Sequence, residues 1–300
     1  MTSFTDALAA GPVVLDGGLG TLLEARGNDL SSALWSARLL REDPGEVRAA
    51  HAEFYAAGAQ VAITSSYQVS YAALSGEGLD EADVDLLLAR SVDLARRART
   101  DEGLDGAAWV AASVGPFGAS RADGSEYTGD YGLTVAELRA WHRPRLRTLA
   151  EAGADVLAIE TIPSLAEIEA ITAELEGLSS TAWLSVTIAD GRLRSGESLA
   201  DAFAMAAAAP EIVAVGVNCC AADDVAEALL IARSVTGKPL VAYPNSGEAW
   251  DAAHRSWSGS GAPLEGHIAS WVGAGARLVG GCCRVGPAQI RAVAEALATV

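Results

Sequence analysis

The chain has 300 residues, of which half are hydrophobic and a fifth are charged, and its formal net charge at pH 7 is −18. This acidic balance argues against nucleic acid and against an anionic membrane surface as partners, because both attract clustered basic residues. No apolar run reaches the roughly 18 residues of a membrane-spanning helix, and the first residues lack the pattern of a signal peptide. We therefore expect a cytoplasmic protein with reduced cysteines, and the sequence does not indicate its oligomeric state.

Eight short apolar runs alternate with longer segments of helical periodicity along the chain. Apolar residues follow one another in these runs rather than occupying every second position, which is typical of parallel strands covered on both faces. The predicted strands span residues 13–16, 61–65, 109–113, 156–160, 182–187, 212–217, 240–243 and 277–281. The predicted helices span residues 44–57, 83–99, 135–152, 165–175, 199–209, 225–234, 264–272 and 288–297.

An Ala-Gly-Ala tripeptide ends three of these helices, with its glycine at Gly58, Gly153 and Gly275. Glycine tolerates the left-handed conformation that ends a helix, so each tripeptide predicts a helix end shortly before the next strand. Eight such βα units predict an α/β protein, specifically a (β/α)8 TIM barrel formed by a single domain over residues 1–300. An open doubly wound sheet is the alternative, but the Gly-rich segment 16–20 departs from the G-x-G-x-x-G spacing of its phosphate-binding turn.

All four cysteines follow predicted strands, in two adjacent pairs. Cys219 and Cys220 come directly after the sixth strand, and Cys282 and Cys283 after the eighth. These two strands have the same parity, so their inward residues share the same layers of a barrel. Because zinc takes thiolate ligands in a tetrahedron, the two pairs indicate a metal site at one end of the barrel.

The number of cysteines that bind the metal is open at this point. Three thiolates leave one position free, as in a catalytic zinc site, whereas four close the site as in a structural one. We favour Cys219 over Cys220, since successive residues of an extended chain face opposite ways, and we expect Gly280 and Gly281 to provide a sharp turn for both later cysteines. Small buried hydrophobic residues and a redox pair remain the alternatives to a metal.

The two cysteine motifs, Gly-Val-Asn-Cys ending at Cys219 and Gly-Gly-Cys-Cys ending at Cys283, resemble those of the homocysteine S-methyltransferase family. The resemblance extends in the same order over about residues 10–295, and it includes segments 15–21, 63–68, 113–116, 123–129, 160–163 and 243–248. It implies a (β/α)8 barrel with Zn2+ bound by Cys219, Cys282 and Cys283 as metal and catalytic residues. It also implies L-homocysteine as the acceptor, which leaves as methionine.

The resemblance further implies the residues that hold the substrate. Asp16, Gly17, Gly18 and Glu160 are expected to bind the amino-acid part of homocysteine, with the carboxylates on its ammonium and the glycine N–H groups on its carboxylate. Asn218, directly before Cys219, is expected either to bind substrate or to hold its loop.

The short chain and the Tyr-Pro-Asn-Ser-Gly-Glu segment at 243–248 resemble the branch of the family whose methyl donor is S-methylmethionine or S-adenosylmethionine. Both donors carry a sulfonium, whose positive charge suits aromatic rings. Tyr67, Tyr127 and Trp250 are the candidates, with Tyr67 the substrate residue that we favour.

One departure from the family pattern follows Arg284, where Val285 and Gly286 stand in place of two threonines, so the hydroxyl contacts of that turn are absent. Two other functions are compatible with a zinc site. A zinc hydrolase would place water at the open position, although hydrolases usually use histidine and carboxylate ligands. A structural zinc protein would use all four cysteines.

Overall fold

The computed structural model describes residues 2–30, 35–121, 123–251, 256–259 and 261–300. Eight parallel strands form its main sheet, at the positions that the apolar runs predict. They are β1 (Val13–Val14), β2 (Val61–Ile63), β3 (Trp109–Val114), β4 (Val156–Ile162), β5 (Ala182–Val186), β6 (Ile212–Asn218), β7 (Leu240–Tyr243) and β8 (Ala276–Val279). Their order in the sheet follows their order in the chain, with β8 beside β1.

The two edges of the sheet meet between β1 and β2. Leu15, which follows β1, forms a parallel bridge with Val61 at the start of β2. The N–H of Asp16 donates to the carbonyl of Val61 at 3.0 Å, and the N–H of Gln60 donates to that of Val14 at 2.8 Å. The sheet is therefore a nearly closed barrel, which confirms the predicted (β/α)8 fold.

Thirteen α-helices lie in the described ranges, and they include a helix at each predicted position. They are α1 (Phe4–Ala10), α2 (Leu19–Ala25), α3 (Trp35–Glu42), α4 (Pro44–Ala56), α5 (Tyr71–Ser75), α6 (Glu81–Asp101), α7 (Phe117–Arg121), α8 (Val135–Glu151), α9 (Leu165–Leu175), α10 (Leu199–Ala208), α11 (Ala222–Val235), α12 (Ile268–Ala274) and α13 (Pro287–Leu297). None of the helices in the described part of the chain is long and apolar enough to cross a membrane.

Glycine ends the helices that precede β2, β4 and β8, as the tripeptide repeat predicts. Gly58, Gly153 and Gly275 have φ angles of 104°, 78° and 116°. These angles lie in the left-handed region that a residue without Cβ adopts at little cost, so each helix stops there and the chain turns into the next strand.

Two hydrophobic cores hold the barrel together. The outer core lies between the sheet and the helices, and the inner core fills the barrel with side chains such as Trp183 and Leu278. Phe4 of α1 closes the amino-terminal end, where its ring lies 6.1 Å from that of Trp109 and 6.0 Å from that of Trp183. Only the carboxyl ends of the strands are therefore left open for a site.

Candidate active site

A cavity of about 800 Å³ opens at the carboxyl ends of the strands, where TIM barrels carry their active sites. The segments that follow β1, β2 and β3 form its walls, and the end of β4 and the cysteine turns after β6 and β8 complete it. Its lining residues include Gly17, Gly18, Glu24, Asp29, Ser65, Tyr67, Asp123, Glu126, Tyr127, Glu160, Thr161, Cys219, Cys282 and Cys283.

Three cysteines meet in this cavity. Their sulfur atoms all lie within 4.8 Å of one another, and in the described residues no other group of three histidine, cysteine or acidic side chains has this geometry. The Sγ of Cys219 lies 2.6 Å from that of Cys282 and 3.9 Å from that of Cys283. The fold thus brings together the three cysteines that the sequence predicts, from turns that are 63 residues apart along the chain.

The loop after β7 connects the two cysteine turns through hydrogen bonds. The N–H of Asn245 donates to the carbonyl of Cys220 at 2.9 Å, and its side-chain oxygen accepts from the N–H of Cys283 at 3.1 Å. The N–H of Cys282 donates to the carbonyl of Pro244 at 2.7 Å. These contacts fix the relative positions of the sulfur atoms through the backbone.

Backbone strain is concentrated at this site. Thr161, Cys219 and Arg284 have φ angles of 63°, 48° and 64°, which is the left-handed region that residues with a Cβ rarely adopt. Among the described residues, only Asp190 shares this property without being glycine. Such strain persists only where the surrounding structure imposes it, and it is common at functional sites.

The three thiols differ in their electrostatics. Hydrogen bonds from Cys282 and Cys283 lower the pKa of Cys219, and the hydroxyls of Thr161 and Tyr127 lower it further. Cys219 in turn raises the pKa of the other two thiols. The cluster thus concentrates negative charge on Cys219, and a cation at its centre would favour the deprotonated form of all three.

The residues present fit a Zn2+ ion. Tetrahedral thiolates at about 2.3 Å from zinc lie roughly 3.8 Å from one another, which matches the Cys219–Cys283 separation. The Cys219–Cys282 pair has to open by about 1 Å to reach the same spacing. Three sulfur ligands would leave one position of a tetrahedral zinc ion free.

Cys220 does not belong to this cluster. Its side chain is 1% exposed and packs in the outer core, on the opposite side of β6 from the cavity, and burial raises the pKa of its thiol. The alternation of side chains predicts this separation correctly. A structural site formed by all four cysteines is therefore not favoured.

Glu160 and the buried Asp16 place two interacting carboxyl groups at this end of the barrel. Glu160 lines the cavity, with one oxygen accepting a hydrogen bond from Ser113 and the other from Tyr243 at 3.2 Å. Asp16 is 1% exposed beneath the lining residue Ile63, whose N–H donates to its Oδ2 at 2.8 Å, and its Oδ1 is buried with no partner among the described residues. Burial raises the pKa of Glu160 to about 7, and burial together with the charge of Glu160 raises the pKa of Asp16.

Gly17 and Gly18 have a role that the sequence does not predict, in the contact between two turns. The N–H of Gly18 donates to the carbonyl of Val285 at 2.8 Å, so it is not available to a substrate carboxylate. A Cβ on Gly17 would lie 2.3 Å from the same carbonyl oxygen, and one on Gly18 would lie 2.5 Å from that of Cys282. These two glycines therefore allow the turn after β1 to contact the cysteine turn directly.

Gly280 and Gly281 also act through close approach rather than through a special backbone conformation. Neither has a positive φ angle, which corrects the expectation that they provide conformational freedom. A Cβ on Gly280 would lie 2.6 Å from the Cβ of Leu15, and one on Gly281 would lie 2.2 Å from Val285. The buried Val285 side chain therefore fills the turn where the family pattern has threonine.

Asn218 holds the end of β4 and does not line the cavity. Its Oδ1 accepts from the N–H of Thr161 at 2.7 Å, and its Nδ2 donates to the Thr161 hydroxyl at 2.8 Å. Asn218 is fully buried and both ends of its amide are engaged. Of the two predicted roles, these hydrogen bonds favour the positioning of a loop, and direct substrate contact stays a prediction.

Tyr67 and Tyr127 both face the cysteine cluster. Burial raises the pKa of each phenol, and the charge of Cys219 raises both further, so both remain neutral. The ring of Tyr67 lies against Gly115, where a Cβ would lie 2.6 Å from it. The side chain of Trp250, the third aromatic candidate, lies outside the described part of the structure.

Arg145 is a buried residue of the site that the sequence does not reveal, because nothing in its pattern distinguishes it from the other arginines of α8. Its guanidinium donates to the carbonyls of Gly115 at 3.0 Å, Ser66 at 3.2 Å and Tyr67 at 2.8 Å. It also lies 5.3 Å above the ring of Trp141, and burial lowers its pKa to about 10. Arg145 therefore joins the loops after β2 and β3, which carry Tyr67 and the wall of the cavity.

Comparisons with known proteins agree with this geometry. The family model described as homocysteine S-methyltransferase matches residues 13–297. A homocysteine S-methyltransferase of Escherichia coli is 46% identical in an alignment that covers 94% of each chain. Homocysteine S-methyltransferase 4 of Zea mays is 43% identical in an alignment that covers 96% of this chain and 90% of that one. The crystal structure of the homocysteine methyltransferase MmuM from Escherichia coli, in its metallated form, has a TM-score of 0.86 at 43% identity over 95% of this chain and 96% of that chain.

A barrel with this three-thiol cavity and these relatives is a TIM-barrel methyltransferase. The chain belongs to the homocysteine S-methyltransferase family, as its sequence motifs predict.

Proposed function

We propose that the protein transfers a methyl group from a sulfonium donor, either S-methylmethionine or S-adenosylmethionine, to the thiol of L-homocysteine, with methionine as product. The observation that carries the proposal is the meeting of Cys219, Cys282 and Cys283 in one cavity. We propose that these three sulfurs hold a Zn2+ ion. When bound there, zinc would lower the pKa of the homocysteine thiol and orient its sulfur at the fourth position.

The two acidic residues provide a site for the ammonium of homocysteine. Asp16 and Glu160 repel each other, since the charge of Glu160 raises the pKa of Asp16. A substrate ammonium next to both would relieve that repulsion and favour their ionised forms. The unpartnered Oδ1 of Asp16 would then gain a partner.

The substrate carboxylate meets neutral donors. Within the described lining, no lysine or arginine is present. The hydroxyl of Ser65 is buried and has no hydrogen-bond partner in the described part of the chain, and Gly17 belongs to the same lining. We propose these two groups for the carboxylate, with Gly18 excluded because its N–H is engaged by Val285.

The residues of the cavity determine how the donor approaches. A new C–S bond forms on the homocysteine sulfur while the donor C–S bond breaks, and the electron pair stays on the donor sulfur, which becomes a neutral thioether. Tyr67 and Tyr127 offer neutral rings to the positive charge that disappears in this step. Aromatic rings bind a cation more weakly than a carboxylate in a close ion pair does. They therefore add less to the energy barrier between the bound donor and the transition state, in which the positive charge is disappearing.

The test of this proposal is methionine formation by purified, zinc-loaded protein. Homocysteine would be offered with S-methylmethionine, S-adenosylmethionine or betaine, and methionine would be measured by mass spectrometry. We expect turnover with at least one sulfonium and none with betaine. Hydrolysis of esters or amides with no methionine from any donor would refute the proposal in favour of a zinc hydrolase.

A second test uses the four cysteines as matched variants. Cys219→Ser, Cys282→Ser and Cys283→Ser should each lose bound zinc and lower methionine formation at least 100-fold, because each removes one of three ligands. The control Cys220→Ser removes a thiol outside the cluster and should keep both, at a cost of about 1–3 kcal/mol in stability for a buried hydroxyl. Equal loss of zinc from Cys220→Ser, measured by elemental analysis, would show a four-cysteine site instead.

A further inference from the structure

The cavity is strongly acidic. Its described lining carries carboxyl groups and no lysine or arginine, and the acidic members are Glu24, Asp29, Asp123, Glu126 and Glu160. A cleft of one charge sign concentrates ligands of the opposite sign. Homocysteine is a zwitterion with one ammonium, for which Asp16 and Glu160 already provide a site, so further negative charge points to a second cation.

Glu126 differs from the other carboxylates on the wall. Glu24 lies 3.6 Å from the guanidinium of Arg284, and Asp123 lies 3.0 Å from that of Arg121. The Oε2 of Glu126 is buried and has no hydrogen-bond partner among the described residues. An unpaired carboxylate oxygen in a buried position is costly, so it indicates a ligand that completes it.

The backbone fixes the position of Glu126. It lies in the 3₁₀ turn Ser125–Tyr127, within the connection between β3 and α8. A Cβ on Gly118 of α7 would lie 2.3 Å from the N atom of Glu126, so this turn packs directly on the helix backbone. The carboxylate is therefore presented by a packed turn rather than by a free loop.

Glu126 lines the same cavity as the three cysteines. The next residue of its turn is Tyr127, which also lines the cavity and whose hydroxyl forms a hydrogen bond with Cys219. The carboxylate is therefore one residue away along the chain from a side chain that contacts the cluster, on the wall of the cavity where a methyl group has to arrive.

We propose that the carboxylate of Glu126 is the counter-charge for the sulfonium of the methyl donor. This inference rests on the proposed function, and it makes Glu126 a residue that determines donor specificity. Because the sulfonium loses its charge during transfer, Glu126 stabilises the bound donor more than the transition state. Its removal should raise the KM for the donor while kcat stays the same or rises.

The experiment compares Glu126→Gln with the control Asp130→Asn, which removes one exposed charge four residues further along the same connection and outside the cavity lining. At saturating homocysteine, the KM for S-methylmethionine should rise roughly 10- to 100-fold in Glu126→Gln, as expected for a lost charged contact. The inhibition constant of methionine against this donor should change less than about threefold, because methionine is a neutral thioether with the same ammonium and carboxylate. Asp130→Asn should leave both constants unchanged.

Each outcome decides the assignment. Equal weakening of S-methylmethionine and methionine would overturn it, since Glu126 would then hold an ammonium, and so would an unchanged KM for the donor. Glu126→Asp keeps the charge and should keep most of the donor preference, which supports the assignment even where Glu126→Gln folds poorly. Wild-type protein that forms no methionine would refute the proposed function itself, a result distinct from an active wild type whose donor KM is insensitive to Glu126.

Discussion

His51 makes the stability of this protein dependent on pH in a range that can be calculated. It lies on α4, is fully buried, and both of its ring nitrogens lack a hydrogen-bond partner among the described residues. Burial lowers its pKa from 6.5 to about 4. The perturbation is His51→Leu, which keeps an apolar side chain of similar size at this position.

The direction in which stability changes with pH follows from the pKa values of His51 in the folded and the unfolded chain. Above pH 6.5 the histidine is neutral in both the folded and the unfolded chain, and its contribution to stability is fully present. Between pH 6.5 and about 4 the unfolded chain binds a proton that the folded chain does not, so stability falls as the pH falls. At about 1.36 kcal/mol per pH unit, the loss amounts to roughly 3.4 kcal/mol below pH 4.

The assay is chemical denaturation of wild type and His51→Leu at pH 7.0, 5.5 and 4.5. We expect the difference in unfolding free energy, variant minus wild type, to grow by about 1–3 kcal/mol in favour of the variant from pH 7.0 to 4.5. Loss of the proposed zinc ion at low pH would affect both proteins and cancel in this difference. His267→Gln is the control, because that imidazole is partly exposed. A difference that stays constant across the three pH values would refute the reasoning.

Two further predictions concern the loops that shape the cavity. Arg145→Lys should lower kcat/KM roughly 10- to 100-fold while the circular dichroism spectrum stays unchanged. The reason is that a lysine ammonium cannot reproduce the hydrogen bonds that the planar guanidinium donates to three carbonyls. The control is Arg147→Lys, since Arg147 is exposed on the same helix, and this variant should keep full activity in the same steady-state assay. Equal rates for both variants would contradict a positioning role. Gly17→Ala should reduce bound zinc and lower stability by about 1–3 kcal/mol, because its Cβ would displace the carbonyl of Val285. Gly11→Ala, where a Cβ meets nothing within 4 Å, is the control for elemental analysis and thermal unfolding, and full zinc content in Gly17→Ala would contradict the expected displacement.

The sequence predicts the barrel well because its strands are buried on both faces. The predicted strand 156–160 begins with four apolar residues, and the structure extends it only to Ile162. The helices that precede β2, β4 and β8 are equally visible, since a glycine ends each one. Short helices cannot be predicted in this way. The helices Tyr71–Ser75 and Phe117–Arg121 have five residues each, which are too few to show a helical period.

The candidate site is only partly predictable, because its ligands and its supports follow different rules. Cysteine is rare and its position after a strand is informative, so the three sulfurs can be found from the sequence. The contacts of Asn218 and Arg145 depend on which backbone carbonyl and amide groups remain without a partner once the barrel has folded. The spacing of residues in the sequence does not indicate which groups these are. The same holds for Gly17 and Gly18, whose role depends on a turn more than 260 residues away along the chain.

The barrel holds the backbone at Cys219 in a strained conformation. A φ of 48° at a residue with a Cβ costs roughly 1–3 kcal/mol, so the surrounding structure has to impose it. It does so with two hydrogen bonds: the hydroxyl of Thr187 donates to the carbonyl of Cys219 at 3.1 Å, and the N–H of Asn245 donates to that of Cys220 at 2.9 Å. Because Thr187 and Asn245 lie just after β5 and β7, the two strands beside β6, the folding energy of the barrel offsets the strain. In small zinc domains the ion supplies the folding energy, whereas here the barrel itself brings the three thiols together.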